Sequence, residues 1–88
     1  MIEHKNGWVL YILECADGSF YTGVTNDLTA RLACHNTGKA ARYTRGRLPV
    51  RLVYHEVCED RSAAQRREHA VKRLSRSQKE ALMINKGC

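Results

Sequence analysis

The chain has 88 residues, carries a net charge of +6, and has a hydrophobic fraction of 43%. This length allows one domain, so a site should lie on a face or in a shallow groove rather than in a deep cavity. The composition argues against global disorder, and no apolar run approaches the ~20 residues that span a bilayer. The basic balance favours a polyanionic partner such as DNA or RNA, although an inert basic surface or one that touches acidic lipid stays open.

The N-terminus and the cysteines favour a reducing, cytoplasmic setting. Residues 1–5 lack the apolar stretch of a secretory signal. None of the four cysteines forms a Cys-x-x-Cys pair, so a zinc site is poorly supported. We expect free thiols at all four positions, which are Cys15, Cys34, Cys58 and Cys88.

The first predicted unit is a β-hairpin. Residues 7–15 form an apolar and aromatic run typical of a largely buried strand. The dipeptide Asp17-Gly18 indicates a tight reversal, and residues 20–25 predict the second strand. The hairpin should bring Tyr11 and Tyr21 to similar heights, where two phenol oxygens could bind a phosphate and a water. Taken alone, however, a tyrosine in a strand is more often a core residue with a satisfied hydroxyl.

A helix is predicted over residues 27–36, with Thr25 or Asn26 as its N-cap and Gly38 as its stop. The leucines that mark its buried stripe are Leu28 and Leu32.

The same helix carries two side chains suited to phosphate chemistry. Arg31 and His35 lie four residues apart and therefore share one face. A guanidinium binds a phosphate bidentately, and an imidazole can donate to a phosphate oxygen or move a proton. A solvated helix face is the plain alternative for this pair.

A strongly basic loop is predicted over residues 39–48, closed by Pro49. Between Lys39 and Arg51 there are five basic residues and no acidic one. This polarity favours contacts with a phosphate backbone, and a solvated basic surface is the alternative. The third strand is predicted over residues 50–57.

A second helix is predicted to start after Asp60 or Ser62 and to run to about Leu74. Glu68 is the only acidic residue between positions 61 and 79, among seven basic ones. A lone carboxylate in such a stretch is a candidate ligand for a hard divalent cation. An i,i+4 pair with Lys72, or packing on the Ala64 side of the helix, would explain it equally well.

The last predicted element is a short third helix. Ser75 and Gln78 have the spacing of a capping box, which would open a helix through about Ile84. The order ββαβαα predicts a small α+β domain over residues 5–85, with a three-stranded antiparallel sheet flanked by helices. Residues 86–88 would form a frayed tail.

Taken together, these features resemble the GIY-YIG nuclease domain, and most of all the small stand-alone bacterial proteins of that family. The resemblance covers residues 8–84, with Val9 in place of the first motif's glycine and Thr22 in place of the second motif's isoleucine. The matching residues, in chain order, are Val9-Leu10-Tyr11, Tyr21-Thr22-Gly23, Arg31, His35 and Glu68.

This resemblance implies the GIY-YIG fold and hydrolysis of a phosphodiester with a single divalent ion, Mg²⁺ or Mn²⁺, held by Glu68. Tyr11 would orient or deprotonate the attacking water, and nearby positive charge would lower the pKa of its phenol. Tyr21 would position the phosphate or the water. Arg31 would neutralise the developing charge, and His35 would bond the phosphate or share the proton transfer.

The resemblance also implies a nucleic-acid surface, on which Tyr43 would stack against a base. DNA rather than RNA is the expected substrate, no membrane contact is expected, and a protein partner or a homodimer stays open. A binding module or adaptor with little turnover is the alternative to a nuclease. The predicted contact residues are Lys39, Arg42, Tyr43, Arg45, Arg47 and Lys72.

Overall fold

A computed structural model describes residues 7–87 and the side chains of residues 7–84. It confirms the α+β class and the ββαβαα order, with one addition, the short helix α2, which lies inside the segment predicted to be a loop. The start of the predicted domain at residue 5 lies outside the described residues, as does Cys88. The elements are β1 (Trp8–Glu14), β2 (Phe20–Thr25), α1 (Leu28–Asn36), α2 (Arg42–Arg45), β3 (Arg51–Cys58), α3 (Arg61–Lys72) and α4 (Arg76–Gly87).

The three strands form an antiparallel sheet with the order β2-β1-β3, so β1 is central. The hairpin reverses at Gly18, whose φ of 85° lies in the left-handed region that favours glycine. In the register of the hairpin, Tyr11 faces Gly23 and Leu13 faces Tyr21. Tyr21 is therefore the diagonal neighbour of Tyr11, within reach of an aromatic side chain.

Because successive side chains of a strand point to opposite faces, β1 supplies two separate cores. On one face Leu10 and Ile12 cluster with Tyr54 and with Val71 of α3. On the other face Tyr11 and Leu13 cluster with Cys15 and Val50, and the side chains packed against them include Leu28 and Leu32 of α1. Helices α1 and α2 thus cover one face of the sheet, and α3 and α4 cover the other.

Helix α1 begins one residue later than predicted, because Asp27 rather than Thr25 or Asn26 caps it. The Asp27 carboxylate accepts a hydrogen bond of 3.2 Å from the Ala30 amide, while Thr25 accepts one from the Asp27 amide instead. The predicted stop at Gly38 is confirmed, since its φ is 77° and the amide of Lys39 donates back to the Cys34 carbonyl at 3.0 Å. This is the Schellman pattern of helix ends.

The C-terminal helices also have the predicted caps. Asp60, and not Ser62, caps α3 by accepting from the amide of the third helical residue at 2.8 Å. The capping box is confirmed, with Ser75 and Gln78 exchanging hydrogen bonds of 2.9 and 3.2 Å. Helix α4 continues to Gly87, three residues beyond the predicted end at Ile84, and so includes most of the segment predicted to fray.

Two further observations concern the setting of the domain. Within the described part of the chain, no helix is long and apolar enough to cross a membrane. Cys15, Cys34 and Cys58 are free thiols, as expected.

Candidate active site

The centre of the candidate site is a buried hydrogen bond between β1 and α1. The phenol oxygen of Tyr11 lies 3.0 Å from Nε2 of His35. The two residues are only 3% and 1% exposed. His35 continues the inward stripe of Leu28 and Leu32 by one more turn of α1, so a solvated helix face is the wrong interpretation for this residue. Tyr11 does lie in the core, but the partner of its hydroxyl is an ionisable imidazole.

The other ring nitrogen of His35 contacts a residue that the sequence interpretation missed. Nδ1 lies 2.9 Å from Oγ1 of Thr44, which is completely buried on α2. The same hydroxyl donates to the carbonyl oxygen of Ala41 at 3.2 Å. A continuous chain of hydrogen bonds therefore runs from β1 through α1 to α2.

Tyr21 and Tyr43 extend this centre toward the surface. The ring centroid of Tyr21 lies 6.4 Å from that of Tyr11, 5.1 Å from His35 and 6.0 Å from Tyr43. Tyr43 is 39% exposed, which makes it the outermost ring of the cluster. The predicted proximity of Tyr11 and Tyr21 is thus present in the structure, and the four rings form one wall.

Gly23 provides the space that Tyr11 occupies. A Cβ atom at this position would lie 2.7 Å from the Tyr11 hydroxyl oxygen and 2.8 Å from its ring carbon Cζ. Real Cβ atoms essentially never make contacts under 3.0 Å, so any side chain at Gly23 would displace the phenol. The glycine of the Tyr21-Thr22-Gly23 motif is therefore required by the position of the first tyrosine.

The electrostatic environment keeps both members of the central pair neutral. Burial raises the pKa of Tyr11 well above its ordinary value, and the charge of Arg31 opposes this effect without overcoming it. The positive charge of Arg31 thus lowers the pKa of Tyr11, as the sequence suggested, but burial has the larger effect. Burial, with help from Arg31, also lowers the pKa of His35. At neutral pH the phenol thus keeps its proton and the imidazole keeps a free lone pair.

Arg31 and Glu68 are the charged residues of the candidate site. The Arg31 side chain is exposed and forms no hydrogen bond or ion pair with any residue that the structure describes. Glu68 lies on the inward face of α3 between Ala64 and Val71 and is 21% exposed. The charge of Arg31 lowers the pKa of Tyr11 and the charge of Glu68 raises it, although burial has the larger effect.

Glu68 forms the ion pair that the sequence offered as the alternative to a metal ligand. Its carboxylate is 3.1 Å from Nζ of Lys72, which is the i,i+4 pair considered above. Among residues 7–87 there is no group of three or more His, Cys, Asp or Glu side chains that could enclose a metal ion. The chemistry of a single hard oxygen donor still fits Mg²⁺ or Mn²⁺, which keep several waters and bind through one or two carboxylates.

The basic side chains of residues 39–47 fall into two groups, those exposed to solvent and one that is bound to other residues. Lys39, Arg42 and Arg45 are exposed and line a shallow cavity of about 140 Å³. Arg47 instead binds the hairpin loop, with Nε 3.0 Å from the Asp17 carboxylate, and its guanidinium lies 4.1 Å from the centroid of the Tyr43 ring. Its Nη1 also donates to the Tyr43 carbonyl at 2.7 Å.

The sequence of the chain also matches a family model. Residues 7–81 match the model of the GIY-YIG catalytic domain, which covers most of the chain. The chain belongs to the GIY-YIG family. The resemblance found in the sequence motifs is therefore confirmed, and with it membership of a superfamily of nuclease domains that generally use divalent metal ions.

Relatives of similar size support the assignment to the GIY-YIG family. A UPF0213 protein of Desulfotalea psychrophila is 52% identical over 80 residues, 90% of this chain and 73% of the relative. A UPF0213 protein of Halobacterium salinarum is 53% identical over 73 residues, 83% of this chain and 95% of the relative. These matches confirm the predicted similarity to small stand-alone family members.

Two solution NMR structures are similar to this GIY-YIG chain. The UPF0213 protein of Bacillus halodurans superposes with a TM-score of 0.60 at 49% identity, covering 92% of this chain and 86% of that one. A protein of E. faecalis superposes with a TM-score of 0.66 at 42% identity, covering 96% and 90%. The fold is thus shared with independently determined structures.

Proposed function

We propose that this protein is a metal-dependent endonuclease that hydrolyses phosphodiester bonds of nucleic acid in the cytoplasm, with DNA as its substrate. The observation that carries the proposal is the buried Tyr11–His35 hydrogen bond beside the exposed guanidinium of Arg31. A protonated phenol bonded to a neutral imidazole is a ready path for one proton, and an exposed arginine is a ready site for one phosphate.

The proton path removes the need for an ionised tyrosine. As water attacks the phosphorus, one water proton passes to the Tyr11 oxygen while the phenol proton passes to Nε2 of His35. A new P–O bond forms to the water oxygen, and the P–O bond to the leaving oxygen breaks. The imidazolium then returns its proton to the Tyr11 oxygen, which releases its other proton to solvent water, and the leaving oxygen takes up one proton from solvent water. The phenol is never ionised along this path, so its raised pKa is compatible with its role.

Arg31 and Tyr21 would act on the phosphate itself. Arg31 is exposed on α1, and its fork geometry matches the oxygens of a phosphoryl group. The Tyr21 ring lies 5.1 Å from the His35 ring, so its hydroxyl belongs to the wall against which the phosphate or the water would rest. Negative charge that develops on the phosphoryl oxygens would be neutralised by the guanidinium.

Glu68 would hold the divalent ion, as Mg²⁺ or Mn²⁺. When bound, the ion would stabilise negative charge on the phosphate and on the leaving oxygen. Lys72 would have to leave the carboxylate as the ion binds, because the two cations would compete for the same oxygens. Lys72 would then be free to contact the nucleic acid, as the sequence predicts.

Lys39, Arg42 and Arg45 would follow the nucleic-acid backbone away from the site. Their charges line one shallow cavity next to α2. The Tyr43 ring is 39% exposed, and a base would stack on the face that the Arg47 guanidinium does not cover. Arg47 remains a predicted contact, but its engagement with Asp17 indicates that its first task is to hold the hairpin loop against α2.

A nucleic-acid-binding module with little turnover is the second candidate. The ion pair between Glu68 and Lys72 favours it, because a carboxylate already neutralised by a lysine is a weaker metal ligand. A protein partner or the second chain of a homodimer could draw Lys72 away from Glu68. Both kinds of partner remain predictions. Binding without cleavage in the presence of metal is the behaviour that would identify this alternative.

The proposal is tested by cleavage of labelled duplex, branched and single-stranded DNA and of RNA, with Mg²⁺, Mn²⁺ or chelator. We expect metal-dependent cleavage of DNA by the wild type and none by Glu68→Gln. The matched control is Glu80→Gln, which removes a carboxylate from another i,i+4 pair, with Arg76, on the exposed face of α4. Equal cleavage by wild type and Glu68→Gln would overturn the assignment of Glu68.

Binding of the same DNA provides a separate measurement. We expect Glu68→Gln to bind as tightly as the wild type, whereas Arg42→Gln combined with Arg45→Gln should weaken binding and lower its salt dependence. The slope of log K against log salt should fall by about 1 for each arginine that no longer binds a phosphate. An unchanged slope would exclude these arginines from the interface.

A further inference from the structure

We propose that Thr44 is a positioning residue, which holds His35 in the tautomer whose Nε2 accepts the Tyr11 proton. The residue lies on α2, is completely buried, and contacts the imidazole through Nδ1 rather than through the nitrogen that faces Tyr11. The catalytic consequence rests on the proposed function, whereas the tautomer itself is a property of the folded protein and can be measured without substrate.

The hydrogen-bond geometry of Thr44 determines what it can offer to His35. A threonine hydroxyl has one hydrogen to donate and two lone pairs. The hydroxyl donates to the carbonyl of Ala41, three residues earlier, at 3.2 Å, a bond that threonine commonly makes in a helical turn. Because that hydrogen is used on the Ala41 carbonyl, we assign Thr44 as the acceptor in its contact of 2.9 Å with Nδ1 of His35. In this assignment Nδ1 carries the hydrogen.

The remaining ring nitrogen follows from the neutral state of the imidazole. A neutral imidazole has one N–H, so a hydrogen on Nδ1 leaves a lone pair on Nε2. Nε2 lies 3.0 Å from the Tyr11 oxygen, and the phenol must donate this bond. The three hydrogen bonds that link Tyr11, His35, Thr44 and Ala41 then all run in the same direction, and each donor meets an acceptor.

The opposite tautomer would block the proposed proton path. With the hydrogen on Nε2, His35 would donate to Tyr11 and could not take the phenol proton. Tyr11 could then accept a proton from water only by becoming positively charged, which its burial disfavours. The orientation of one buried threonine hydroxyl would thus decide whether the Tyr11–His35 pair can work. Partners that fix the tautomer of a functional histidine act in this way in other sites.

The tautomer is tested directly by NMR on protein labelled with ¹⁵N-histidine, near neutral pH. We expect His35 to show a protonated Nδ1 and an unprotonated Nε2 in the wild type and in Thr44→Ser, which keeps the hydroxyl. In Thr44→Val, which keeps the branched shape without the hydroxyl, we expect the Nε2–H tautomer or a mixture. A wild-type spectrum with Nε2 protonated would overturn the inference whether or not the protein is a nuclease.

Metal-dependent DNA cleavage by the same variants tests the catalytic consequence. Thr44→Val should lose about 10- to 100-fold in rate, the range seen for outer partners of metal-bound histidines, and Thr44→Ser should recover most of it. The matched control is Thr37→Val, because Thr37 also donates to a carbonyl three residues earlier but is exposed at the end of α1. Wild-type cleavage by Thr44→Val with an altered tautomer would overturn the role in catalysis. Absence of cleavage by the wild type would instead refute the nuclease proposal and leave the NMR result to decide the tautomer.

Discussion

The two faces of the central strand are equally buried but are covered by different chemistry. On one face Tyr11 forms a hydrogen bond with His35, and His35 in turn contacts Thr44. On the other face the next residue, Ile12, lies in an apolar cluster with Leu10, Tyr54 and Val71. A single strand thus supplies both the candidate active site and the main hydrophobic core.

This difference shows how a small domain can bury a cluster of polar side chains next to its hydrophobic core. Burying polar side chains costs free energy unless each finds a hydrogen-bond partner. The layer of α1 and α2 meets this condition with a chain of hydrogen bonds from Tyr11 to Ala41. Glu68 is the exception to the division, because α3 carries it on the apolar side of the sheet.

The largest expected effect on stability comes from the apolar face. Ile12→Ala should lower the free energy of unfolding by about 2–5 kcal/mol, because it removes buried methyl groups and leaves a cavity. Tyr11→Phe, one residue away, should lower it by about 1–3 kcal/mol, since it leaves Nε2 of His35 buried without its hydrogen-bond partner. Denaturant unfolding of both variants measures the contrast. Equal losses would show that the two faces are not energetically distinct.

Gly23→Ala should disrupt the Tyr11–His35 hydrogen bond through a steric clash. The new methyl group would overlap the Tyr11 phenol, so we expect a loss of about 1–3 kcal/mol and displacement of the phenol from His35. Thermal unfolding and the His35 ring resonances would report these two effects. The matched control is Gly46→Ala, where a Cβ meets no atom within 4 Å. Similar behaviour of the two variants would contradict the close contact at Gly23.

A smaller effect should appear as a dependence of stability on pH. Because burial lowers the pKa of His35, the unfolded chain binds a proton that the folded protein resists at pH values just below about 6.5. The contribution of neutral His35 to the free energy of unfolding is therefore fully present above that pH, and it is lost as the pH falls toward the pKa of His35 in the folded protein. Unfolding measured between about pH 4.5 and 8 should show a shallower acidic decline in His35→Gln than in the wild type. Parallel curves would contradict the lowered pKa.

The smallest expected effect concerns a polar group on the apolar face. Thr22 is 3% exposed, faces Ile12 across the hairpin, and its hydroxyl has no hydrogen-bond partner in the described part of the protein. Thr22→Val should therefore stabilise the protein by about 1 kcal/mol, because it removes an unsatisfied polar group and keeps the shape of the side chain. Thermal unfolding would detect this gain, and a loss of stability would indicate that the hydroxyl has a partner such as a buried water.

Much of the fold could be predicted from short-range signals. The Asp17-Gly18 turn, the Gly38 stop and the Ser75–Gln78 capping box act within a few residues, and all three are present. The cap of α1 was misassigned because Thr25, Asn26 and Asp27 are all good caps by composition. The choice among them depends on the backbone path out of β2, where Thr25 accepts from the Asp27 amide.

The candidate site was less predictable, because its contacts join distant parts of the chain. The motif residues identified Tyr11 and His35 individually, and the spacing of Leu28, Leu32 and His35 could have indicated that His35 points inward. Thr44 had no such signal, since its role depends on α2 folding against α1. The engagement of Arg47 with Asp17 likewise joins two distant segments of the chain.

Cleavage of DNA by Tyr11→Phe in the presence of Mg²⁺ tests the central claim most directly. This change removes the oxygen that would pass a proton from the attacking water to His35, while the ring that fills the core remains. We expect a loss of about 100-fold or more in cleavage rate, the contribution typical of a general acid–base group, with DNA binding unchanged. Cleavage by Tyr11→Phe at the wild-type rate would contradict the proposed proton path.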